Sequence, residues 1–329
     1  MNDGPSTASL VLGSGGARGL AHIGVIRRLE ERGHVIGYVA GSSMGALVGG
    51  IHAASRLDDY ADWARALHRS DIVRLLDWSF ERGSLFKGER VIGVLRELVG
   101  DVRIEDLPIG YTAVATDVSR AGAGREVWLN RGPLFDAIRA SIAVPGVFAP
   151  VAAGRRLLVD GGVVNPVPVA PTLNAQSDLT VAVDLNGAPE PPPSRVAPRT
   201  LERAAGGTDG DARRRSIAGY LDRFWPSPPT PPTPAVDSVG FSDVLLRSLE
   251  AAQATITGFR FAANRPSLVI RIPRNVCGFF DFHRAEELIE CGYRCADRAL
   301  ADHDRRRTDR PDPPSDADGA TGGATGRTP

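Results

Sequence analysis

The chain has 329 residues, 42% hydrophobic and 24% charged, an ordinary globular mixture with room for one large α/β domain or two small ones. Its 39 Lys+Arg balance 39 Asp+Glu, so no global charge draws it to nucleic acid or anionic lipid. The cysteines Cys277, Cys291 and Cys295 are odd in number and late in the chain, which excludes a disulfide framework and leaves buried or half-buried thiols. The polar start MNDGPSTAS lacks the features of a signal peptide, and no apolar run is long enough to span a membrane, so the expected location is the cytoplasm.

In chain order, the apolar run Ser9–Gly13 predicts a buried strand, followed by the glycine-rich turn Gly13–Gly19. Leu20, Ile23, Ile26 and Leu29 then form the stripe of a helix ending near Gly33. Ile36–Ala40 predicts a second strand, Gly41–Gly45 a second glycine-rich turn, and a small-residue helix follows to about Ala54. This alternation implies parallel strands joined by helical crossovers, an α/β fold. Later strand candidates are Tyr111–Thr116, Glu126–Leu129, Leu157–Val159, Leu179–Val183 and Leu268–Ile272; helix candidates are Asp58–Arg69, Gly88–Val99, Pro133–Ser141 and Ala285–Ala301.

Residues 189–234, with PEPPPS and PSPPTPPTP, read as a flexible insertion, inside which Ile217–Trp225 forms an amphipathic island. That island is expected to touch lipid or to cap the mouth of a site. From about Asp302 the polar Gly/Pro-rich tail is expected to be disordered.

The chemistry concentrates in three places. Gly41-Ser42-Ser43-Met44-Gly45 fits G-x-S-x-G, with Ser43 where a strand turns into a helix. Such a strained elbow projects the hydroxyl, and small flanking residues remove clashes. Gly13-Ser14-Gly15-Gly16-Ala17-Arg18-Gly19 lacks the Lys-Ser/Thr end of a Walker loop and does not fit a dinucleotide fingerprint from either starting point. A phosphate loop and an oxyanion hole built on the Gly15 and Gly16 N–H groups both stay open. Asp160-Gly161-Gly162 ends a short apolar strand and offers a base, while His283 would complete a Ser-Asp-His order. That order belongs to a fold with several strands before the elbow, and here one precedes it. His22 reads as packed or bonded to backbone. No Cys/His set stands at metal-ligand spacing.

Together, LVLGSGGARGLAHIGVIRRLEERG, VAGSSMGALVGGIHA, ASIAVPGVFAPV, LLVDGGVVNPVPV and the closing DFHRAEELIECGY resemble the ordered blocks of the patatin-like phospholipases. The resemblance implies a three-layer α/β fold with a mostly parallel central sheet flanked by helices. It covers roughly 8–185 and 240–300, within a domain expected over 8–305, interrupted by the 189–234 insertion and followed by a disordered 306–329 tail. It implies Ser43 as nucleophile, Asp160 as proton acceptor, and Gly15 and Gly16 as oxyanion hole. Arg18, Gly19, Gly41, Gly45, Gly161 and Gly162 support these, Arg18 either bracing its loop or meeting an anionic head group. Ser14 stands where the family more often has glycine. No metal or cofactor is implied. The implied partner is a lipid ester, with transient contact at a membrane surface and no nucleic acid. The apolar stretch Trp63, Leu67, Ile72, Leu75, Leu76, Trp78, Phe80, Leu85 and Phe86 is an acyl-chain pocket or lid, or an ordinary packed layer. A non-catalytic lipid-binding protein on the same fold is the rival reading, and a nucleotide switch the third.

Two adjacent serines make the elbow assignment testable. Ser43→Ala should abolish ester hydrolysis and covalent labelling by a fluorophosphonate, while Ser42→Ala keeps measurable activity; loss of label in folded Ser42→Ala alone would reverse the assignment.

Overall fold

The computed structural model describes residues 6–75, 84–122, 124–190 and 241–308. Strand β1 (Thr7–Leu12) leads through a 3-10 turn (Gly16–Leu20) into α1 (Ala21–Glu31), then β2 (Val35–Ser42) and α2 (Met44–Ala53). Next come α3 (Leu57–Ala66), α4 (Arg69–Leu75), β3 (Ser84–Phe86), α5 (Glu89–Val99), β4 (Gly110–Asp117), β5 (Arg125–Leu129) and α6 (Leu134–Ser141). The short strands β6 (Gly146–Phe148) and β7 (Val151–Ala153) precede β8 (Arg156–Asp160) and β9 (Leu179–Gly187). The chain closes with α7 (Phe241–Ala263), β10 (Leu268–Pro273) and α8 (Ala285–Thr308). Residues up to 189 and from 250 onward make one unit; residues 190–249 make a second, of which the first turns of α7 are described.

The main sheet runs β10-β9-β1-β2-β4-β8-β7, with β5 also on β4. The pairings β10–β9, β9–β1, β1–β2 and β2–β4 are parallel, whereas β8, β7 and β5 are antiparallel additions. The sheet is therefore mostly parallel, as expected from the alternating helices. Alternation along β1 sends Leu10 and Leu12 into the large core with α1, α2, α6 and α8, and Val11 to the opposite face with Val167, Val169 and Ala182. Both faces are covered, so β1 reads as a continuous apolar run.

One side of β4 is shared by two strands. Gly110–Val114 pair with Tyr38–Ser42 of β2, and Ala115–Asp117 pair with Asp160–Leu158 of β8. β5 pairs with Ala113–Asp117 and overlaps both, so it must occupy the other side. β2 and β8 thus run toward each other along the same side of β4 and stop one residue apart, at Val114 and Ala115. One residue of strand is ~3.3 Å. Ser42 and Asp160 are brought together by this meeting of strands.

Several elements depart from the sequence reading. Asp58–Arg69 is two helices, because Leu67 adopts an extended ψ of 127°. α8 continues to Thr308, past Ala301 and into residues expected to be disordered; its charged end is tied to α1 by an Arg32–Asp304 ion pair of 2.5 Å. The helix α7 and the short strands β3, β6 and β7 gave no recognised pattern. The amphipathic island 217–225 and the insertion core lie outside the described residues.

α1 and α8 cross at two glycines. A Cβ on Gly24 would fall 1.9 Å from Ile289 O, and one on Gly292 the same distance from Ala21 O. Gly93, inside α5, meets nothing within 4 Å. Gly292→Ala should therefore cost about 1–3 kcal/mol by overpacking, while Gly93→Ala should gain about 0.5–1 kcal/mol from helix propensity. Thermal melts of the two variants should shift in opposite directions.

Candidate active site

Ser43 stands between β2 and α2 with φ 56° and ψ −123°. A positive φ is costly for a residue with a side chain, and it holds only because the backbone around it is crowded. A Cβ on Gly41 would lie 2.3 Å from Gly45 O, and one on Gly45 would lie 2.0 Å from Leu12 O. Both positions must be glycine for the elbow to turn this tightly against β1. Likewise Gly19 lies against Met44 and Gly161 against Val114 O.

Asp160 ends β8 and is buried, with 1% exposure. Its Oδ1 accepts Gly162 N–H at 2.6 Å, its backbone N–H donates to Ala143 O and its C=O accepts Thr116 Oγ1, both at 2.9 Å. Burial pushes the carboxyl up to about 7, against smaller opposing pulls from the Ser43 hydroxyl and Gly162 N–H. Ser43 is close enough to favour the ionised form, yet Oδ2 has no well-directed hydrogen bond among the described residues. Such contacts are often long in unliganded sites and tighten with substrate.

The glycine loop presents free donors. Gly13 N–H goes to Val183 O, Ser14 N–H to Pro166 O and Ala17 N–H to Phe279 O, at 3.1, 2.9 and 2.9 Å. The N–H groups of Gly15 and Gly16 take no acceptor among the described residues. Gly16 has φ 56°, and a Cβ there would sit 2.7 Å from Phe279 O. Arg18 is buried beneath the loop, donating to Arg274 O (2.9 Å) and Glu250 Oε1 (2.6 Å). Both contacts fasten the loop to the closing elements, and they leave Arg18 directed inward rather than toward an outside head group. His22 Nε2 pairs with Gly13 O at 2.9 Å, and burial drives its pKa down to about 4; it is a neutral brace of the loop. His283 instead accepts from Arg69 Nε at 3.1 Å, and no hydrogen bond joins it to Asp160 among the described residues.

Ser43 also opens onto an apolar cavity of about 110 Å³ walled by Trp63, Leu67, Ile72, Leu75 and Phe148, with Gly16 at its edge. Four residues of the apolar stretch singled out in the sequence thus line it. Phe86 is buried against Phe148, with ring centroids 6.4 Å apart. Leu76, Trp78, Phe80 and the side chain of Leu85 lie outside the described residues. Among those described, no group of three His, Cys, Asp or Glu is placed to hold a metal, and no helix is long and apolar enough to cross a membrane.

Three residues escaped the sequence reading. Gln253 Nε2 reaches Ser14 Oγ at 3.4 Å, which accommodates serine in the glycine loop. Glu250 anchors Arg18. Ser141 Oγ accepts Ser43 N–H at 3.0 Å. Ser141 sat inside the quoted ASIAVPGVFAPV block; a small polar residue at the end of a helix whose residues are mostly buried was the available signal.

The site thus sets a strained serine elbow beside a buried carboxyl group. Residues 10–173 match the family model described as patatin-like phospholipase. An NTE family protein of Mycobacterium tuberculosis (strain ATCC 25618 / H37Rv) is 42% identical, the alignment covering 89% of this chain and 91% of that protein. The mouse patatin-like phospholipase domain-containing protein 6 is 34% identical over 56% of this chain, though that is only 14% of its own length. The structure of VipD from Legionella pneumophila aligns with 91% of this chain and 67% of its own at 14% identity and a TM-score of 0.42. The chain belongs to the patatin-like phospholipase family, which places it among lipid hydrolases.

The Asp160 carboxyl makes a stability prediction. Unfolded, it releases its proton near 3.8; folded, near 7. Between those values the folded state binds the extra proton, so this group lowers stability as pH rises, by about 1.4 kcal/mol per pH unit, and levels off above. Asp160→Asn cannot ionise. Its melting temperature relative to wild type should climb from pH 4 to 7 and then stay flat; a constant difference across that window would contradict the raised pKa.

Proposed function

We propose that the chain cleaves carboxylic esters of lipids, in a phospholipase A, lysophospholipase or esterase reaction, through a Ser43–Asp160 dyad. The observation that carries this reading is that Ser43 lies both at the apolar cavity and beside the buried Asp160 carboxylate. In this reading Asp160 accepts the Ser43 hydroxyl proton as Oγ bonds to the ester carbonyl carbon. The carbonyl oxygen becomes an oxyanion facing the unspent N–H groups of Gly15 and Gly16. Collapse breaks the ester bond, the leaving alkoxide takes the proton from Asp160, and the acyl group stays on Ser43. Water then gives a proton to Asp160 and attacks the acyl carbon; collapse breaks the acyl–Ser43 bond, Ser43 Oγ takes the proton back from Asp160, and the carboxylic acid is freed. The apolar cavity receives acyl chain. Phe280, 38% exposed at the cavity wall, offers contact to a lipid surface.

Turnover of a panel of p-nitrophenyl esters and phospholipids by wild type, Ser43→Ala and Asp160→Asn tests the reading. Ser43→Ala should be inactive, and Asp160→Asn should lose about 10²-fold or more, the scale of general-base catalysis. Because Asp160 must be ionised to accept a proton, kcat/KM should rise with pH along a limb of unit slope centred near 7 and plateau above it. Lipid retained without turnover or phosphonate label would instead mark a lipid-binding protein on the same fold.

A further inference from the structure

We propose that Ser141 is a positioning residue that sets the attacking geometry of Ser43; this rests on Ser43 being the nucleophile. The argument starts from the ladder between β2 and β4. In a parallel ladder, a carbonyl that points toward the neighbouring strand takes the N–H of the residue following its partner. Val114 is the partner of Ser42, so the next rung would join Ser43 N–H to Val114 C=O. At Ser43 the chain leaves β2 for α2 with φ 56°, and its N–H goes to a side chain, Ser141 Oγ, at 3.0 Å.

β8 does not take the place either. It joins the same side of β4 only from Ala115 onward, antiparallel, and at the junction its chain continues through Gly161. A Cβ on Gly161 would lie 2.1 Å from Val114 O and 2.7 Å from Ser42 Oγ, so Val114 C=O points into the gap where the two strands meet. A donor and an acceptor, both buried, thus meet at this junction, the Ser43 N–H and the Val114 C=O.

The Ser141 hydroxyl fills that gap. Its Oγ accepts Ser43 N–H at 3.0 Å and donates to Val114 O at 2.6 Å. A hydroxyl is suited to this because it accepts and donates at once. Ser141 is fully buried at the last residue of α6, and the strained turn is thus tied to the sheet by a rigid helix. Ser42 provides the contrast: it is equally buried, one residue away, and its Oγ has no hydrogen-bond partner among the described residues. With Ser43 N–H spoken for, the elbow has no freedom to relax toward negative φ by swinging that N–H to another acceptor, and the Ser43 side chain is held between Asp160 and the cavity.

The test measures phosphonate labelling rate, kcat and KM on a short soluble ester, for wild type, Ser141→Ala and Ser141→Thr, each confirmed folded by its melt. Mass spectrometry identifies the labelled residue. Ser141→Ala should lower kcat and the labelling rate by roughly 10- to 100-fold, the range for a small misplacement of a reacting group, with KM nearly unchanged. The acid limb of the pH profile should keep its midpoint, since Asp160 is untouched. Ser141→Thr, which keeps the hydroxyl, should recover most of the rate. If Ser141→Ala does not fold, Ser141→Cys, similar in size but a weak hydrogen-bonding group, takes its place with the same expectations. A labelling rate within roughly threefold of wild type for the folded variant, or threonine as slow as alanine, overturns the role. Label absent from Ser43 in the wild type overturns the nucleophile reading and this role together, and is distinguished from the other outcomes by the wild-type spectrum alone.

Discussion

The site depends on one edge of one strand. β4 accepts β2 along its first half and β8 along its second, on the same side. Each arriving strand must leave before it collides with the other, so each ends in a sharp turn: β2 at Ser43 and β8 at Gly161. The two turns bring a hydroxyl and a carboxylate together without either strand bending toward the other. The need to satisfy the backbone at the junction then dictates much of the surroundings. Val114 C=O takes a side-chain hydroxyl, Gly161 is excluded from having a Cβ, and Thr116 caps the Asp160 carbonyl.

Burial follows from the same arrangement. A carboxyl group at the inner end of β8, 1% exposed, is far from water. That isolation lifts its affinity for a proton and destabilises the fold at neutral pH, which is a common feature of sites shaped for chemistry rather than for stability. The left-handed Ser43 is a second local strain in the same few residues, and both are borne by a core that packs α1, α2, α6 and α8 closely around the sheet.

The parallel half of the sheet was legible in the sequence because its strands are buried on both faces and are punctuated by glycine-rich turns. Ser9–Gly13 and Ile36–Ala40 left little choice of structure, and G-x-S-x-G between a strand and a small-residue helix gave the elbow. Asp160 was legible only in company: by itself Leu-Leu-Val-Asp-Gly-Gly is an ordinary turn after a short strand. The short strand β7 shows no periodicity, and although Leu157–Val159 read as a strand, nothing local says that it lies beside β4. The supports of the site were hidden for a related reason. Ser141, Gln253 and Glu250 are common residue types on helices, and what makes them matter is a partner 98, 239 or 232 positions away.

That separation in sequence bears on how the protein comes into being during synthesis. The glycine loop occupies the first twenty residues, yet Arg18 is held by Arg274, Ala17 by Phe279, and α1 by α8. A nascent chain can assemble β1, β2 and the elbow early, but the anchors of Arg18 and Ala17 form only once residues 250–279 have emerged from the ribosome. Contacts of such long range are slow to form. The chain therefore carries its serine for most of its synthesis without a fully anchored glycine loop, and a chain stopped short of α8 exposes the groove at Gly24 that the helix would cover.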